Sequence, residues 1–545
     1  MIAFQAPVDD ILFALDLAGA GRLPDWDEEL AREVLTQFAR FAEGEIAPLD
    51  EPGDREGCRL EAGRVTMPEG FAAAWAALVE QGWHAIGLPE DRGGQGLPGP
   101  LLGAASEIFA GANHALQMVT ALVPGAARTI LAFGTETQKA CWLPRLASGE
   151  WLATMAITEP GAGSDLSGLR TRAIRDGDAW RIAGEKIFIS GGDQDLTPRI
   201  LHLVLARTGA ADSGTRGLGL FLVPSHDASG ARTPVAVTRI EEKMGLHASP
   251  TCQLAFEGAP AEIIGAEGGG LRAMFTMMNH ARLDVAAQGV AHAARAVDVA
   301  RRYAAERRQG GAPIGAHADV ARMLDTAEIA ALGGRLLAQI AQVELAARGD
   351  TPLVDFLTPV CKVLCTEAGI SAADLAIQIL GGYGYLREYR VEQTWRDARV
   401  TAIYEGANGI HARALATRGL THAGGAGAEA FAALMAEAPE IAGPLGLWQE
   451  ARRAQLAAER PEAAAHAFMK LTATVALGFA WARLGAAADR APDPARYARL
   501  AARARAETMP AARYWSALRA LAAETPARAD GSSVTAAEPV IGIPQ

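Results

Sequence analysis

The chain has few cysteines, few aromatic residues and no excess of positive charge. Five cysteines among 545 residues cannot form a disulfide framework, and their odd number is typical of a reducing compartment. Cys361 and Cys365 lie four residues apart, but two thiols alone are a poor metal site, so we expect both to pack in the core and expect no metal. The formal net charge of -12 argues against a nucleic-acid-binding surface.

Long hydrophobic runs are also missing. The longest apolar run, Val475 to Ala482, is flanked by Lys470 and Arg483, and it is much shorter than the roughly 20 residues that cross a bilayer. The segment from Met1 to Asp10 lacks the basic region of a signal peptide. We therefore expect no membrane span, no nucleic-acid partner and a cytoplasmic location.

The hydrophobic pattern divides the chain into blocks. Helix-like spacing continues to about Gly149, short strand-like runs follow Trp151, and helical spacing returns from Leu271. Segregated blocks of this kind predict an α+β fold rather than an alternating parallel sheet. The predicted strands are Ala179 to Ile182, Lys186 to Ser190, Leu201 to Ala206, Leu218 to Val223, Pro234 to Ile240 and Cys252 to Phe256.

A glycine-rich stretch, Ala423 to Gly427, predicts a flexible linker before a further helical block. The residues from Ala529 to Gln545 carry Gly, Ser and Pro and predict a loose end. The predicted divisions are an N-terminal extension (1–34), a helical domain (35–154), a β-domain (155–270), a second helical domain (271–420), an additional helical domain (428–525) and a loose tail (526–545).

One carboxylate late in the chain lies between an aromatic residue and a glycine. Glu405 follows Tyr404 and precedes Gly406 in the run from Ile403 to Ile410. With no lysine or arginine in the run, partial desolvation would raise the pKa of the carboxylate and make it a stronger base. Gly406 would leave a neighbouring backbone N–H open to a ligand oxygen. The alternative is an acidic residue in an ordinary glycine-containing turn.

A loop rich in glycine and hydroxyl groups runs from Ala156 to Gly168. Bare backbone N–H groups and short donors are the chemistry that holds a flat polar heterocycle or a pyrophosphate, although an ordinary turn has a similar composition. The loop is not a Rossmann fingerprint, because that motif opens a helix after a strand and this loop leads into strands.

The order of these motifs resembles the acyl-CoA dehydrogenase family from about Glu29 to Leu420. The loop from Ala156 to Gly168 resembles the family's first signature, and Glu405 falls where the family keeps its catalytic glutamate. Further matches are Gly134 to Glu136, Gly184 to Ser190, Lys243 to Gly245, Arg282, Glu306 with Arg307, and Gln378 to Tyr385.

A narrower resemblance is to the enlarged bacterial branch that includes 3-methylmercaptopropionyl-CoA dehydrogenases. It is carried by Ala6 to Asp10, Met277 to Leu283, Asn408 to Ile410 and the helical segment after Leu420.

The family resemblance implies a helical domain, a central β-barrel and a four-helix bundle that together hold FAD, followed by the additional helical domain. It implies that Glu405 removes the proton α to the carbonyl of an acyl-CoA thioester while the β-hydrogen leaves as hydride to flavin N5, which gives the trans-2-enoyl-CoA. The backbone N–H of Glu405 would bind the thioester oxygen, a contact worth about 3 kcal/mol of barrier in comparable sites.

The resemblance also implies the binding residues, position by position. Arg307 would reach the FAD pyrophosphate across a subunit boundary, whereas the alternative for both Arg282 and Arg307 is a solvated helix face. The residues implied at the acyl-CoA are Ser164, Asn279, Arg282 and Tyr404. Those implied at FAD are Ile157, Thr158, Gly163, Ser164, Phe188, Ser190, Arg307, Gln378, Gly381, Gly382, Ala407 and Gly409.

The implied partners are an acyl-CoA, an electron-transfer flavoprotein as electron acceptor, and a second copy in a homodimer. Three alternatives stay open: an acyl-CoA oxidase that uses oxygen, a flavin monooxygenase on the same fold, and a binding or assembly protein without turnover. The acyl group also stays open, since 3-methylmercaptopropionyl, other short or medium chains, branched and aromatic groups all agree with the motifs.

Overall fold

Local capping residues set where the N-terminal helices begin. The computed structural model describes residues 2–177 and 179–524, so the predicted loose tail lies outside the described residues. The Asp27 side chain accepts from Leu30 N over 2.9 Å, and Thr135 and Gln138 form a reciprocal capping box. The N-terminal elements are α1 (Val8–Ala18), α2 (Glu28–Phe41), α3 (Asp50–Glu56), β1 (Arg59–Glu61), β2 (Arg64–Thr66), α4 (Phe71–Glu80), α5 (Gly99–Thr120), α6 (Leu122–Phe133) and α7 (Glu136–Ala147).

A seven-stranded mixed sheet occupies the middle of the chain. Strand β6 pairs with β3 in parallel and with β7 in antiparallel, while β9 pairs with β5, β7 and β8. The order of helices, then strands, then helices is the predicted one and is confirmed. The strands are β3 (Trp151–Ala156), β4 (Arg172–Asp176), β5 (Ala179–Ser190), β6 (Arg199–Arg207), β7 (Leu218–Pro224), β8 (Val235–Ile240) and β9 (Thr251–Ile264).

The strand prediction was incomplete. The short strands β1, β2, Arg308–Gln309 and Ala312–Pro313 were missed, and β9 continues to Ile264 instead of ending at Phe256. Strands β3 and β4 were missed too, because β3 is buried on both faces and shows no alternation, while β4 is short and mostly exposed. The two strands predicted between Ala179 and Ser190 form one strand, β5, whose pairing with β9 has two register shifts. Such irregularities bend a strand without ending it.

Long helices return after the sheet and form the core around the site. Helix α10 packs along both α8 and α9, and α5 packs against α8. Thr351 caps α10 by accepting from Val354 N over 3.2 Å, and Pro352 occupies the first position, where no N–H is needed. These elements are α8 (Gly270–Glu306), the short strands β10 (Arg308–Gln309) and β11 (Ala312–Pro313), α9 (Ala318–Arg348), α10 (Pro352–Leu380), α11 (Val391–Arg399), α12 (Asn408–Ala416) and α13 (Arg418–Thr421).

The stretch predicted as a flexible linker is ordered. Residues His422 to Gly425 form tight turns with three positive φ angles, and Gly427 already lies buried inside the next helix. Glycine here allows left-handed turns and close packing, so that linker prediction was wrong. The following helices are α14 (Ala426–Met435), α15 (Ala442–Ala457), α16 (Ala465–Ala486) and α17 (Pro494–Glu524).

The last helices pack back onto the earlier ones. Helix α16 packs against α9 and α12, and α17 contacts α9. Asp10 in α1 accepts from Arg496 Nη1 over 3.1 Å and from the Tyr497 hydroxyl over 2.9 Å, while the rings of Phe13 and Tyr497 meet edge to face with centroids 5.2 Å apart. Helices from the two ends of the described chain are thereby joined.

Three described helices are long and apolar enough to cross a membrane, and α5 with α6 would be a fourth span if the bent pair is counted as one. In each helix, part of the most apolar 18-residue window is buried inside the protein. The buried share is 72% in Ala318–Arg348, 56% in Pro352–Tyr385 and 72% in Pro461–Ala486. The smallest buried share is therefore in Pro352–Tyr385.

Candidate active site

Glu405 lies in the loop between α11 and α12, on a strained backbone. Its φ is +52°, a left-handed conformation that costs a non-glycine residue on the order of 1–3 kcal/mol. Two side chains hold its carbonyl oxygen: His411 Nε2 donates over 3.1 Å and Arg282 Nε over a long 3.4 Å. Gly406 follows at φ +93°, where a Cβ would lie 2.9 Å from His411 Nε2. The surrounding residues therefore enforce the turn that presents Glu405.

Lys362 reaches the same turn from α10. Its Nζ donates to the Gly406 carbonyl over 2.9 Å and to Asn408 Oδ1 over 2.8 Å. Burial lowers the pKa of Lys362 to about 8, so the ammonium stays mostly charged at neutral pH. The Asn408 amide donates in turn to Thr366 Oγ1 over 3.2 Å. This network fixes the start of α12 and places the Lys362 ammonium at the turn that carries Glu405.

The Glu405 side chain is partly buried and its carboxylate is poorly solvated. Its Oε2 is buried and has no hydrogen-bond partner among the described residues. Burial raises the pKa of Glu405 to about 7, while Arg282 and Lys362 oppose the rise and Asp284 adds to it. Desolvation therefore outweighs two cations, and near neutral pH the group can both hold and release a proton.

Tyr404 points away from the carboxylate into a buried polar network. Its hydroxyl hydrogen-bonds to Gln288 Oε1 and lies 3.2 Å from His114 Nε2. Burial raises the pKa of Tyr404 well above its ordinary value, so the phenol stays protonated. Gln288 Nε2 continues the network to Asp284 Oδ2 and Gln117 Oε1, each over 3.0 Å.

A cavity of about 110 Å³ opens beside this network, between the helices of the N-terminal part and α8. Phe38 and Trp83 meet in its wall with ring centroids 5.1 Å apart. The polar side chains of Asp284 and Gln117 line the same cavity, and they connect it through Gln288 to Tyr404. Other residues in its wall are Trp75, Phe109, Ser106, Arg128, Met277 and His280.

A buried ion pair fixes the loop that follows β3. Lys186 is fully buried, and its Nζ donates to the Ile157 carbonyl and to Glu159 Oε1, each over 2.8 Å. The backbone N–H of Ile187 also donates to the Thr158 carbonyl over 2.9 Å. The loop residues Ile157 and Thr158 are thereby joined to β5, on which Phe188 and Ser190 lie.

The outer part of this loop is open. Gly163 and Ser164 are exposed, and a Cβ at Gly163 would meet only Thr158 Cγ2 at 3.8 Å. Phe188 is 60% exposed and has a φ of +60°, so a large apolar ring faces outward on a strained backbone. Such a ring beside bare backbone and hydroxyls suits the face of a flat ligand.

Arg307, Gln378, Gly381 and Gly382 form a second, separate group. Arg307 ends α8 and lies 5.8 Å from the Tyr383 ring centroid, next to the C-terminal end of α10 that carries the other three. All four are exposed. No hydrogen bond between described residues joins this group to Glu405 or to the loop after β3. The remaining predicted residues lie at the Glu405 turn: Asn279, which accepts from Arg282 Nη1 over 3.0 Å, and Ala407 and Gly409 at the start of α12.

Comparison with known proteins identifies the family and its fold. Three models match in chain order: acyl-CoA dehydrogenase N-terminal domain (28–150), middle domain (154–259) and C-terminal domain (268–420). A 3-methylmercaptopropionyl-CoA dehydrogenase from Ruegeria pomeroyi is 40% identical over 471 residues, which are 80% of this chain and 79% of that protein. The chain belongs to the acyl-CoA dehydrogenase family.

Solved structures agree with that assignment. Butyryl-CoA dehydrogenase from Megasphaera elsdenii is 27% identical with a TM-score of 0.62, over 70% of this acyl-CoA dehydrogenase and 95% of that chain. Caenorhabditis elegans ACDH-11, in complex with C11-CoA, is 21% identical with a TM-score of 0.78, over 93% of this chain and 91% of that one. The second likeness concerns the fold alone, and at 93% coverage it extends into the helices after Leu420.

Acyl-CoA dehydrogenases depend on FAD, and the residues present here fit that cofactor. Open space surrounds the positions where Gly381, Gly382 and Gly409 would carry a Cβ, and the loop after β3 offers hydroxyls and bare backbone. A neutral heterocycle needs such groups, and a pyrophosphate needs a cation such as Arg307. The sequence interpretation of the cofactor is confirmed, whereas the individual contacts stay predictions.

Several residues of the site escaped sequence reasoning. Lys362, Asp284 and Gln288 were not predicted, although each is a polar residue inside a largely apolar helix, which is a usable signal. His411 was missed too, because its role depends on a positive φ at Glu405 that no residue pattern encodes. The run from Ile403 to Ile410 contains no lysine or arginine, and this suggested that Glu405 has no cation nearby. That inference was misleading, since Arg282 and Lys362 reach Glu405 from other helices.

Proposed function

We propose that the chain oxidises an acyl-CoA thioester to the trans-2-enoyl-CoA with Glu405 as the catalytic base. The observation that supports this most is the carboxylate of Glu405, which is presented by an enforced turn and whose buried Oε2 has no hydrogen-bond partner in the part of the chain that the structure describes. A base of this kind gains strength from desolvation and is tuned near neutral pH. The motif match to the family's catalytic glutamate supports the same role.

The residues around Glu405 hold it ready for proton abstraction. Arg282 and His411 hold its carbonyl oxygen and Lys362 holds that of Gly406, so the carboxylate is oriented by the backbone rather than by a hydrogen bond of its own. The N–H of Glu405 would donate to the thioester oxygen, which stabilises charge as the α-proton leaves. Bound FAD supplies the hydride acceptor for the β-hydrogen.

The cavity between the N-terminal helices and α8 would take the acyl group. Its volume of about 110 Å³ leaves room for a short acyl group. Its aromatic wall suits a thioether, since sulfur packs favourably on aromatic rings. Together with the name of the Ruegeria relative, this supports 3-methylmercaptopropionyl-CoA or another short acyl-CoA, up to medium length, as the substrate.

We also propose a homodimer that works in the cytoplasm, spans no membrane and passes electrons to an electron-transfer flavoprotein. The separation of Arg307 and Gln378 from the loop after β3 supports the dimer, because a second copy would bring the two groups together. Exposed Tyr385, at 84%, supports a covered surface at the same place.

The middle sheet is further proposed to be a barrel, and residues 428–525 an additional helical domain. Strands β6, β4, β5, β9 and β7 pair one after another, and β7 pairs with β6 again, which supports closure. The narrowest link is β4 with β6, through the single residue pair of Arg172 and Arg207.

An anaerobic titration of the yellow protein with a panel of acyl-CoAs tests the proposed function. Bleaching of the flavin by a short acyl-CoA is expected, and subsequent admission of air separates a dehydrogenase, which reoxidises slowly, from an oxidase. Glu405→Gln should keep bound FAD and lose bleaching by at least about 1000-fold, because an amide cannot accept the proton. Glu450→Gln, at an exposed glutamate in α15, is the matched control and should bleach normally.

Other outcomes are equally informative. Near-normal bleaching of Glu405→Gln would remove Glu405 as the base. Bound flavin that no acyl-CoA bleaches would favour a binding protein without turnover. A preparation without flavin would refute the proposed cofactor contacts.

A further inference from the structure

A chain of hydrogen bonds leaves the site at Tyr404 and ends on the carboxylate of Asp284. The Tyr404 hydroxyl bonds to Gln288 Oε1, and Gln288 Nε2 donates to Asp284 Oδ2 over 3.0 Å. On the other side of Tyr404, His114 Nε2 lies 3.2 Å from the hydroxyl, and His292 Nε2 lies 2.8 Å from His114 Nδ1. The five side chains lie on α5, α8 and the α11–α12 loop, and Tyr404 is the one that directly precedes Glu405.

The chemistry of these groups fixes the direction of every bond. An amide oxygen only accepts, so Tyr404 donates to Gln288. The hydroxyl oxygen then accepts from His114 Nε2, and His114 Nδ1 accepts from His292. Burial lowers the pKa of His114 to about 4 and that of His292 well below its ordinary value, so both rings are neutral and each has one N–H. Along the chain from His292 through Tyr404, each group therefore donates to the next one in the direction of Asp284.

Asp284 is built to receive them as an anion. Besides Gln288, the Ser106 hydroxyl bonds to its Oδ1, and Gln117 Nε2 donates to its Oδ2 over 3.0 Å. Burial raises the pKa of Asp284, while these three donors and the nearby Arg128 oppose the rise. If Asp284 were protonated, its own O–H would point at groups that also donate. The three donors therefore favour the charged form of Asp284.

We propose that Asp284 is a positioning residue for the base: it ends the chain that fixes Tyr404, and with it Glu405, and its negative charge makes Glu405 a stronger base. This rests on the proposed function, since Glu405 is a base only in that reaction. The other ionisable groups that face Glu405 are Arg282 on α8, Lys362 on α10 and His411 on α12.

Asp284→Asn tests the proposal, because it removes the charge and keeps the shape. The pH midpoint of flavin reduction should move down by about one unit, since a neighbouring anion disfavours the ionised form of Glu405. The rate of flavin reduction at high pH should fall about tenfold as the base weakens and the chain loosens. Asp298→Asn is the matched control on α8, at a surface pair with Arg302, and should change neither quantity.

Coupling to Tyr404 separates positioning from a general structural effect. In a Tyr404→Phe background, which lacks the hydroxyl, the rate loss caused by Asp284→Asn should shrink to less than about twofold. An equal loss in both backgrounds, or a pH midpoint equal to that of the Asp298→Asn control, would overturn the proposal.

Two further measurements keep the test decisive. Infrared titration of the Glu405 carboxyl, assigned by difference from Glu405→Gln, reports the same midpoint shift without turnover, so it decides the inference even if no acyl-CoA bleaches the wild type. If Asp284→Asn does not yield folded flavoprotein, Gln288→Met breaks the chain and leaves the carboxylate. It should slow flavin reduction with little change in the midpoint, and a wild-type rate would contradict the positioning role.

Discussion

Glu405 combines three properties that rarely coincide in one side chain. Its backbone is left-handed, its buried Oε2 has no hydrogen-bond partner within residues 2–177 and 179–524, and two cations lie close enough to oppose its desolvation. Each property costs free energy, and the neighbouring donors on the carbonyls of Glu405 and Gly406 offset part of it. The conformation and burial of Glu405 therefore destabilise the folded chain locally, and the same features favour proton transfer.

The raised pKa of Glu405 predicts how stability depends on pH. In the folded chain the pKa is about 7, above the ordinary value of 4.5, so the folded state holds the extra proton and loses that advantage as pH rises from about 4.5 through 7. Glu405→Gln stays neutral and should exceed the wild type by on the order of 2–3 kcal/mol at pH 8.5 but hardly at all near pH 4.5.

Denaturant unfolding of the apo protein at both pH values measures this difference. Glu450→Gln should show no such pH-dependent gain, since its side chain is exposed. A Glu405→Gln gain that is equal at both pH values would mean that the carboxylate is not desolvated in the folded chain.

At the scale of elements, local motifs were predictable and long-range partners were not. The strands β6 to β9 and the helices on either side follow from hydrophobic period and were predicted, and Glu405 was found because its motif is contiguous. Tyr404 and Gln288 lie 116 residues apart, so no local pattern links them. The ordered turn at Ala423 to Gly427 was misread because glycine serves tight packing as well as flexibility.

Lys186 gives a prediction for the loop after β3. Lys186→Met would leave Glu159 buried with only the N–H groups of Arg170 and Thr171 as donors. Loss of one partner from a buried pair costs about 3–5 kcal/mol, and the released Ile157 carbonyl would let the loop shift. We expect a clear loss of thermal stability and of FAD retained through gel filtration.

Two variants control this prediction. Lys186→Met with Glu159→Gln should regain most of the stability, because glutamine carries no charge. Lys139→Met, at a lysine that pairs with exposed Glu136, should match the wild type. Unchanged flavin retention in Lys186→Met would show that the ion pair does not hold the cofactor loop.

At the scale of the whole molecule, the predicted cofactor residues fall into two groups on one chain. The loop after β3, which the proposed function assigns to the same flavin as Glu405, makes up one, and Arg307 with the end of α10 makes up the other. The proposed dimer would join the first group of one copy to the second group of its partner. Dimerisation would then be a condition for FAD binding.

Mixing two inactive variants tests this arrangement. Arg307→Ala should lose FAD, because the pyrophosphate loses its cation, and Glu405→Gln should keep FAD without bleaching. Refolded together, they form mixed dimers in which one site has Glu405 from one copy and Arg307 from the other. Substrate-bleachable flavin should appear in the mixture, up to about a quarter of the wild-type amount for random pairing.

The controls are each variant refolded alone, which should give almost no bleachable flavin. The mixture could form dimers by size-exclusion chromatography and still show no gain in bleachable flavin. That result would mean that Arg307 serves the site of its own copy or lies on a solvated face.

The junction of α1 with α17 has a consequence for synthesis. Asp10 and Arg496 are separated by 486 residues, which a ribosome adds in roughly 25–100 s. During that time α1 has left the exit tunnel and α9, the helix on which it packs, is completed, while α17 does not yet exist. A nascent chain stalled before Pro494 should therefore hold α1 on α9 but leave Asp10 without Arg496 and Phe13 without the Tyr497 ring.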